Sequence, residues 1–157
     1  MENLWLYFDM DGTIADLYSV DGWLDYLRAE NPAPYYMAAT MPHINMCELC
    51  EKLNNLQQLG VKLGIISWSS KTASKRFDDK VYLAKQVWLY HHMNSVEWDS
   101  FEVVPYGTPK YTLAKEGISF LFDDEEKNRN EWNKKENKFA FTERDIMTVL
   151  NWIEKGI

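Results

Sequence analysis

The chain has 157 residues, enough for one domain with a full core and too few for a second. Apolar residues make up 46% of it and aromatics 15%, which excludes a disordered polypeptide, and a formal net charge of −7 argues against a general polyanion binder. No apolar run approaches the roughly eighteen residues of a membrane span.

The N-terminal Met1-Glu2-Asn3 carries no basic n-region and no cleavage site, so the expectation is a cytoplasmic protein without a secretory leader. Residues 4–8 (LWLYF) predict a buried strand that runs directly into Asp9, Asp11 and Asp16. Asp16 reads as a helix cap. The 27 residues between Asp16 and Ile44 follow no strand pattern and include Trp23, Tyr26, Tyr35 and Tyr36. Residues 44–59 carry a helical stripe ended by Gly60, and Cys47 and Cys50 lie along it. A lone C-x-x-C lacks the other two ligands of a closed zinc site, so both cysteines are expected to pack in the core. A second strand is predicted over 61–66, with Ser67 at its end.

Residues 79–93 predict another helix, 100–105 a short strand, 110–116 a short helix and 118–122 (ISFLF) a further strand. The last strand, 138–141, leads into a helix that Thr142 can cap and whose Ile146, Val149, Leu150 and Ile153 face the core. His43, His91 and His92 lack the spacing of a ligand set. Strands alternating with helices imply a three-layer α/β/α sandwich around a mostly parallel sheet.

In such sheets ligands gather beyond the carboxyl ends of the strands. Those positions hold Asp9 and Asp11, then Ser67, Lys110 shortly before the fourth strand, and Asp123 and Asp124 after it. Either acidic pair alone reads as a turn or a solvated loop. Both at the ends of neighbouring strands would crowd carboxylates at an electrostatic cost that a hard cation relieves. Lys71, Lys75, Arg76 and Lys80 form a basic cluster nearby, which either steers an anionic substrate or is a solvated surface.

Asp9-Met10-Asp11-Gly12-Thr13 resembles the D-x-D-G-T/V motif of the haloacid dehalogenase superfamily of phosphohydrolases, and Ser67, Lys110 and Asp123-Asp124 follow in the order of that family's later motifs. Within the superfamily, DMDGTIADL looks most like the first motif of the 5′(3′)-deoxyribonucleotidases. The resemblance implies a Rossmann-like domain spanning residues 1–157, with a five-stranded sheet and a minimal cap at about 17–43. It also implies a Mg²⁺-dependent phosphomonoesterase that works through an aspartyl-phosphate.

In that reading Asp9 is the nucleophile and Asp11 the general acid and base. Mg²⁺ is held by Asp9, the backbone carbonyl of Asp11, and Asp124, the direct ligand of the acidic pair; Asp123 holds a metal-bound water or Lys110. Asn128 stands behind the metal ligands. Gly12 turns the chain and offers backbone N–H groups to phosphate, while Ser67 and Lys110 bind the transferring group.

The substrate implied is a small phosphorylated molecule such as a nucleoside monophosphate, with Tyr35, Tyr36 or Trp68 stacking on the base. The minimal cap also suits the runner-up reading, a phosphatase of a macromolecule such as a nucleic-acid end or a phosphoprotein. A phospho-accepting signalling domain uses similar groups in a different order, and the intact first motif speaks against an inactive binding module.

Overall fold

The computed structural model describes residues 3–71 and 73–156. The chain runs through β1 (Leu4–Phe8), β2 (Ala15–Asp16), α1 (Trp23–Arg28), α2 (Ala33–Met37) and β3 (Ala39–Thr40). It continues through α3 (Met46–Gln58), β4 (Lys62–Trp68), α4 (Lys75–Met93), β5 (Ser100–Val104) and β6 (Ile118–Phe122), and ends with α5 (Glu126–Asn133), β7 (Lys138–Phe141) and α6 (Ile146–Gly156). Five strands form one parallel sheet in the order β5-β4-β1-β6-β7. The expected mostly parallel five-stranded sheet with helices on both sides is therefore observed.

Alternation along β1 explains the layering. Leu4, Leu6 and Phe8 point to one face, where they join Leu63 and Ile65 of β4 under α3, α4 and α6. Trp5 and Tyr7 point to the other, where Tyr7 meets the edge of Trp132 from α5 at 5.7 Å between ring centroids. Both faces are covered, so the strand reads as a continuous apolar run. Register then sets the site: Phe8 pairs with Ile65 on one side and Phe122 on the other, so Asp9 and Asp123 leave the sheet side by side. The Asp9 N–H donates to the Phe122 carbonyl at 2.9 Å.

Caps place the long helices. Asn45 accepts from the Glu48 N–H at the start of α3, which buries Leu49, Leu53 and Leu56 and ends before Gly60, whose φ is 97°. Ser74 does the same for α4 through the Phe77 N–H, which extends the expected 79–93 helix back to Lys75.

Residues 17–43 fold largely onto α4, with Ala38 and Val20 reaching the main core. Leu17 and Tyr35 pack with Phe77, Val81 and Ala84 in a small cluster of their own, and β2 and β3 pair antiparallel to close the segment's two ends.

Several expectations are corrected. Cys47 is exposed and only Cys50 packs against the core, because the buried stripe of α3 follows its three leucines. Asp16 makes no capping bond, since β2 ends in a 3-10 turn and not in an α-helix. Thr142 precedes another 3-10 turn, Glu143–Asp145, and its hydroxyl turns to the Asp145 side chain. Residues 110–116 reduce to a 3-10 turn at Lys110–Leu113. Among the described residues no helix is long and apolar enough to cross a membrane.

Candidate active site

Beyond the carboxyl ends of β1, β4 and β6 lies a cavity of about 570 Å³ lined by Asp9, Asp11, Lys110, Asp123, Asp124 and Asn128 among others. After β1 the chain turns at once. The Met10 carbonyl accepts from the N–H groups of Thr13, Ile14 and Ala15, and Gly12, at φ 81°, donates its N–H to Ala15 at 2.8 Å. That N–H, expected to meet a phosphate oxygen, is thus taken by the turn itself. The glycine is needed for space: a Cβ at Gly12 would lie 2.8 Å from Cγ of Asp124.

Asp9, Asp123 and Asp124 bring carboxylate oxygens within 4.8 Å of one another. Lys110, only 3% exposed, reaches Asp9 Oδ1 at 2.8 Å and Asp123 Oδ2 at 2.7 Å. Asn128 Nδ2 donates to the same Asp123 oxygen at 3.1 Å, and the Glu125 N–H donates to Asp123 Oδ1. Asp123 is therefore held by protein groups on both oxygens. Asp124 is the more open acid of the pair. Thr13 sits between it and Asp9, with its hydroxyl 3.1 Å from Asp9 Oδ2 and 3.2 Å from Asp124 Oδ1, and accepts the Asp124 N–H.

Burial sets the electrostatics. Asp124 is pushed well above the usual carboxylate range by burial and then by the charge of Asp9. Asp123 is pushed up to about 6 by the same two causes, with Lys110 opposing. Burial works against the Lys110 ammonium, yet the Asp9 and Asp123 carboxylates outweigh it and hold its pKa up.

A fourth acid, Asp11, is raised first by burial, against the pull of a residue that the motifs did not flag, Lys85. Lys85 lies in α4, 1% exposed, and its ammonium spends all three protons: on Asp11 Oδ2 at 3.0 Å, Ser67 Oγ at 2.6 Å and the Trp68 carbonyl at 2.8 Å.

Ser67 is accordingly not a cavity hydroxyl. β4 continues through Trp68, so Ser67 stays inside the strand on the face of Leu63 and Ile65, fully buried against α4. The serines that line the cavity are Ser69 and Ser70. Of the aromatic candidates, Tyr35 lines the cavity from α2 of the insert, while Tyr36 is 44% exposed and is not part of the lining. Trp68 lines it too, pinned by its indole N–H to the Thr108 carbonyl at 2.8 Å and packed on Tyr106 with centroids 4.9 Å apart. Tyr18 and Trp23 also line it, edge to face at 5.0 Å. The sequence signal for Lys85 is a lysine inside the stripe Phe77, Val81, Ala84, Trp88, Leu89; Thr13 was visible only as the fifth motif position.

The donor set suits a hard divalent cation. Asp9, Asp11, Asp123 and Asp124 against Lys85 and Lys110 leave two negative charges when all six ionise, and every candidate ligand atom is oxygen. Asn128 Oδ1, buried beside them, has no hydrogen-bond partner among the protein groups.

No protein-family model matches the chain, and no curated protein does. Among solved structures, the D,D-heptose 1,7-bisphosphate phosphatase from B. bronchiseptica, crystallised with magnesium and phosphate, superposes with a TM-score of 0.57 over 99% of this chain and 100% of that one, at 9% identity. The D,D-heptose 1,7-bisphosphate phosphatase from Burkholderia thailandensis is 13% identical over 82% of this chain and 70% of its own, with a TM-score of 0.49. At 9% identity the likeness to the first of these establishes the architecture alone.

Proposed function

We propose that the protein is a Mg²⁺-dependent phosphomonoesterase, a single hydrolase domain of the haloacid dehalogenase type in which residues 17–43 form a minimal cap. The observation that carries this reading is the buried triad of Asp9, Lys110 and Asp123 beside Asp124 at the end of the central strand. The magnesium and phosphate held by a neighbour of the same fold support it.

Asp9, Asp124 and the backbone carbonyl of Asp11 would hold Mg²⁺, which supplies positive charge against the repulsion between a carboxylate nucleophile and a phosphate dianion. Asp9 attacks phosphorus and Lys110 neutralises charge on the transferring group. The bond to the leaving oxygen breaks, and Asp11 delivers a proton to that oxygen. Asp11 then takes a proton from the water that cleaves the aspartyl-phosphate. Its raised pKa suits a group that must begin protonated. Asp123 anchors Lys110, and Asn128 anchors Asp123. Ser69 and Ser70 replace Ser67 as the hydroxyls offered to phosphate.

For the organic part of the substrate, two aromatic walls, Trp68 with Tyr106 and Tyr18 with Trp23, favour a flat ring, so a nucleoside monophosphate is the substrate class. The test is Mg²⁺-dependent hydrolysis of nucleoside monophosphates and 4-nitrophenyl phosphate by the purified protein, with mass spectrometry of acid-quenched enzyme. Phosphate on Asp9, absent from a folded Asp9→Asn variant that does not turn over, is the expected result. Turnover by that variant, or none by the wild type, refutes the reading.

A further inference from the structure

The sequence motifs leave Lys85 without a role, yet it is the more deeply buried of the two lysines that touch the site. It lies mid-helix in α4, flanked at helical spacing by Val81 and Leu89, where an apolar residue would pack without desolvation cost. Its three protons are all committed to the carboxyl end of β1 and β4, and the face of Tyr35 lies 5.2 Å from its Nζ. Lysines that merely cover an apolar surface keep the ammonium in water; this one does the reverse.

We propose that Lys85 is a positioning residue for Asp11, fixing which carboxyl oxygen exchanges the proton during phosphoryl transfer. The inference rests on the phosphatase reading above. Lys85 donates to Asp11 Oδ2 at 3.0 Å, which leaves Oδ1 as the oxygen to exchange a proton with the reacting groups. In the first transfer a bond forms between an Asp9 oxygen and phosphorus, the bond from phosphorus to the leaving oxygen breaks, and the Oδ1 proton passes to that oxygen. In the second, water attacks phosphorus, the Asp9 oxygen departs with its electron pair, and a water proton returns to Oδ1.

Ser67 and the Trp68 carbonyl complete the device: they hold the ammonium from the β4 side, so it cannot follow Asp11 if the carboxyl rotates. The serine of the second motif position thus acts through Lys85 and not on phosphate. Tyr35, which also lines the cavity, backs the lysine with its ring.

A purely structural ion pair would matter equally for every substrate, whereas a device that aims a proton matters only when the leaving group needs one. The experiment compares kcat/KM, which reports the first transfer, for an alkyl phosphate and for 4-nitrophenyl phosphate, whose phenolate departs without a proton. Lys85→Met should lose about 100-fold on the alkyl ester, as expected for a misaligned acid, and at least about tenfold less on the aryl ester, with the alkyl loss in kcat and not in KM. In an Asp11→Asn background the same change should add nothing further.

If Lys85→Met fails to fold, Ser67→Ala carries the test, since it removes one anchor and leaves the ion pair; the same preferential alkyl loss is expected, at about severalfold. Equal losses on both esters, or losses additive with Asp11→Asn, overturn the proposal while the phosphatase reading stands. A wild type that hydrolyses neither ester overturns both.

Discussion

Lys110→Met isolates the energetics of the site. The ammonium is 3% exposed and lies 2.8 and 2.7 Å from two carboxylates that are themselves 7% and 0% exposed. Methionine fills a similar volume but leaves Asp9 and Asp123 facing each other with no cation between them. Removing one partner of a buried pair costs about 3–5 kcal/mol, which in a chain of this length lowers Tm by about 10 °C.

The penalty is electrostatic, so it must depend on pH. Asp123 is already pushed up to about 6 with Lys110 present, and loss of the lysine raises it further. A carboxylate whose folded pKa lies above its unfolded value of about 3.9 contributes stability while protonated and loses it as pH rises through the folded value. The gap between variant and wild type should therefore be small near about pH 4.5 and wide near about pH 7.5 in thermal melts with chelator present, and Mg²⁺ should narrow it. An unchanged Tm at neutral pH, or a gap that widens on acidification, would refute this account of the triad.

Three further outcomes follow from the geometry. Asp124→Ala should raise the Mg²⁺ concentration needed for half-maximal activity, whereas Asp11→Asn should keep that dependence and lose rate by about 10²–10⁴-fold; a Mg²⁺ titration of both variants decides, and the opposite pattern reverses the two roles. Gly12→Ala places a Cβ against the Asp124 carboxylate at a φ of 81° and should cost about 1–2 kcal/mol in backbone strain alone, seen as a lower urea midpoint together with lost Mg²⁺ response. Trp68→Ala and Tyr106→Ala should raise KM about tenfold for a nucleoside monophosphate and less for a sugar phosphate, while Tyr36→Ala should leave both unchanged; equal effects on the two substrates remove the base-stacking argument.

What could be read in the sequence was what is local. β1, its two acids and the turn glycine lie within nine residues, and the leucines of α3 and the aliphatics of α6 repeat at helical spacing. Helix α5 escaped because it is polar almost all round: only Asn128 and Trp132, one turn apart, are buried. Helices α1 and α2 have six and five residues, too short for periodicity to register. Tyr35 and Tyr36 are neighbours in sequence and point about 100° apart on a helix, so only the packing of α2 on α4 selects between them. Lys85 escaped for a different reason. A lysine in an apolar stripe reads as an imperfection of the stripe until Asp11, 74 positions earlier, is brought against it.

Helix α4 belongs to two cores at once. Trp88, Leu89 and Met93 in its second half are set in the main core under the sheet, whereas Phe77, Val81 and Ala84 in its first half carry the insert through a cluster of five buried side chains. Cooperative units of such different size open with different free energies. The smaller cluster should open before the main core, but the Trp88 indole N–H, which donates to the Ala38 carbonyl at 2.8 Å, ties the far end of the insert to the second half of α4. Amide hydrogens of α2 and of residues 75–81 should then exchange faster than those of β1 and β4. One helix thus couples the cavity wall to the sheet that carries the acids.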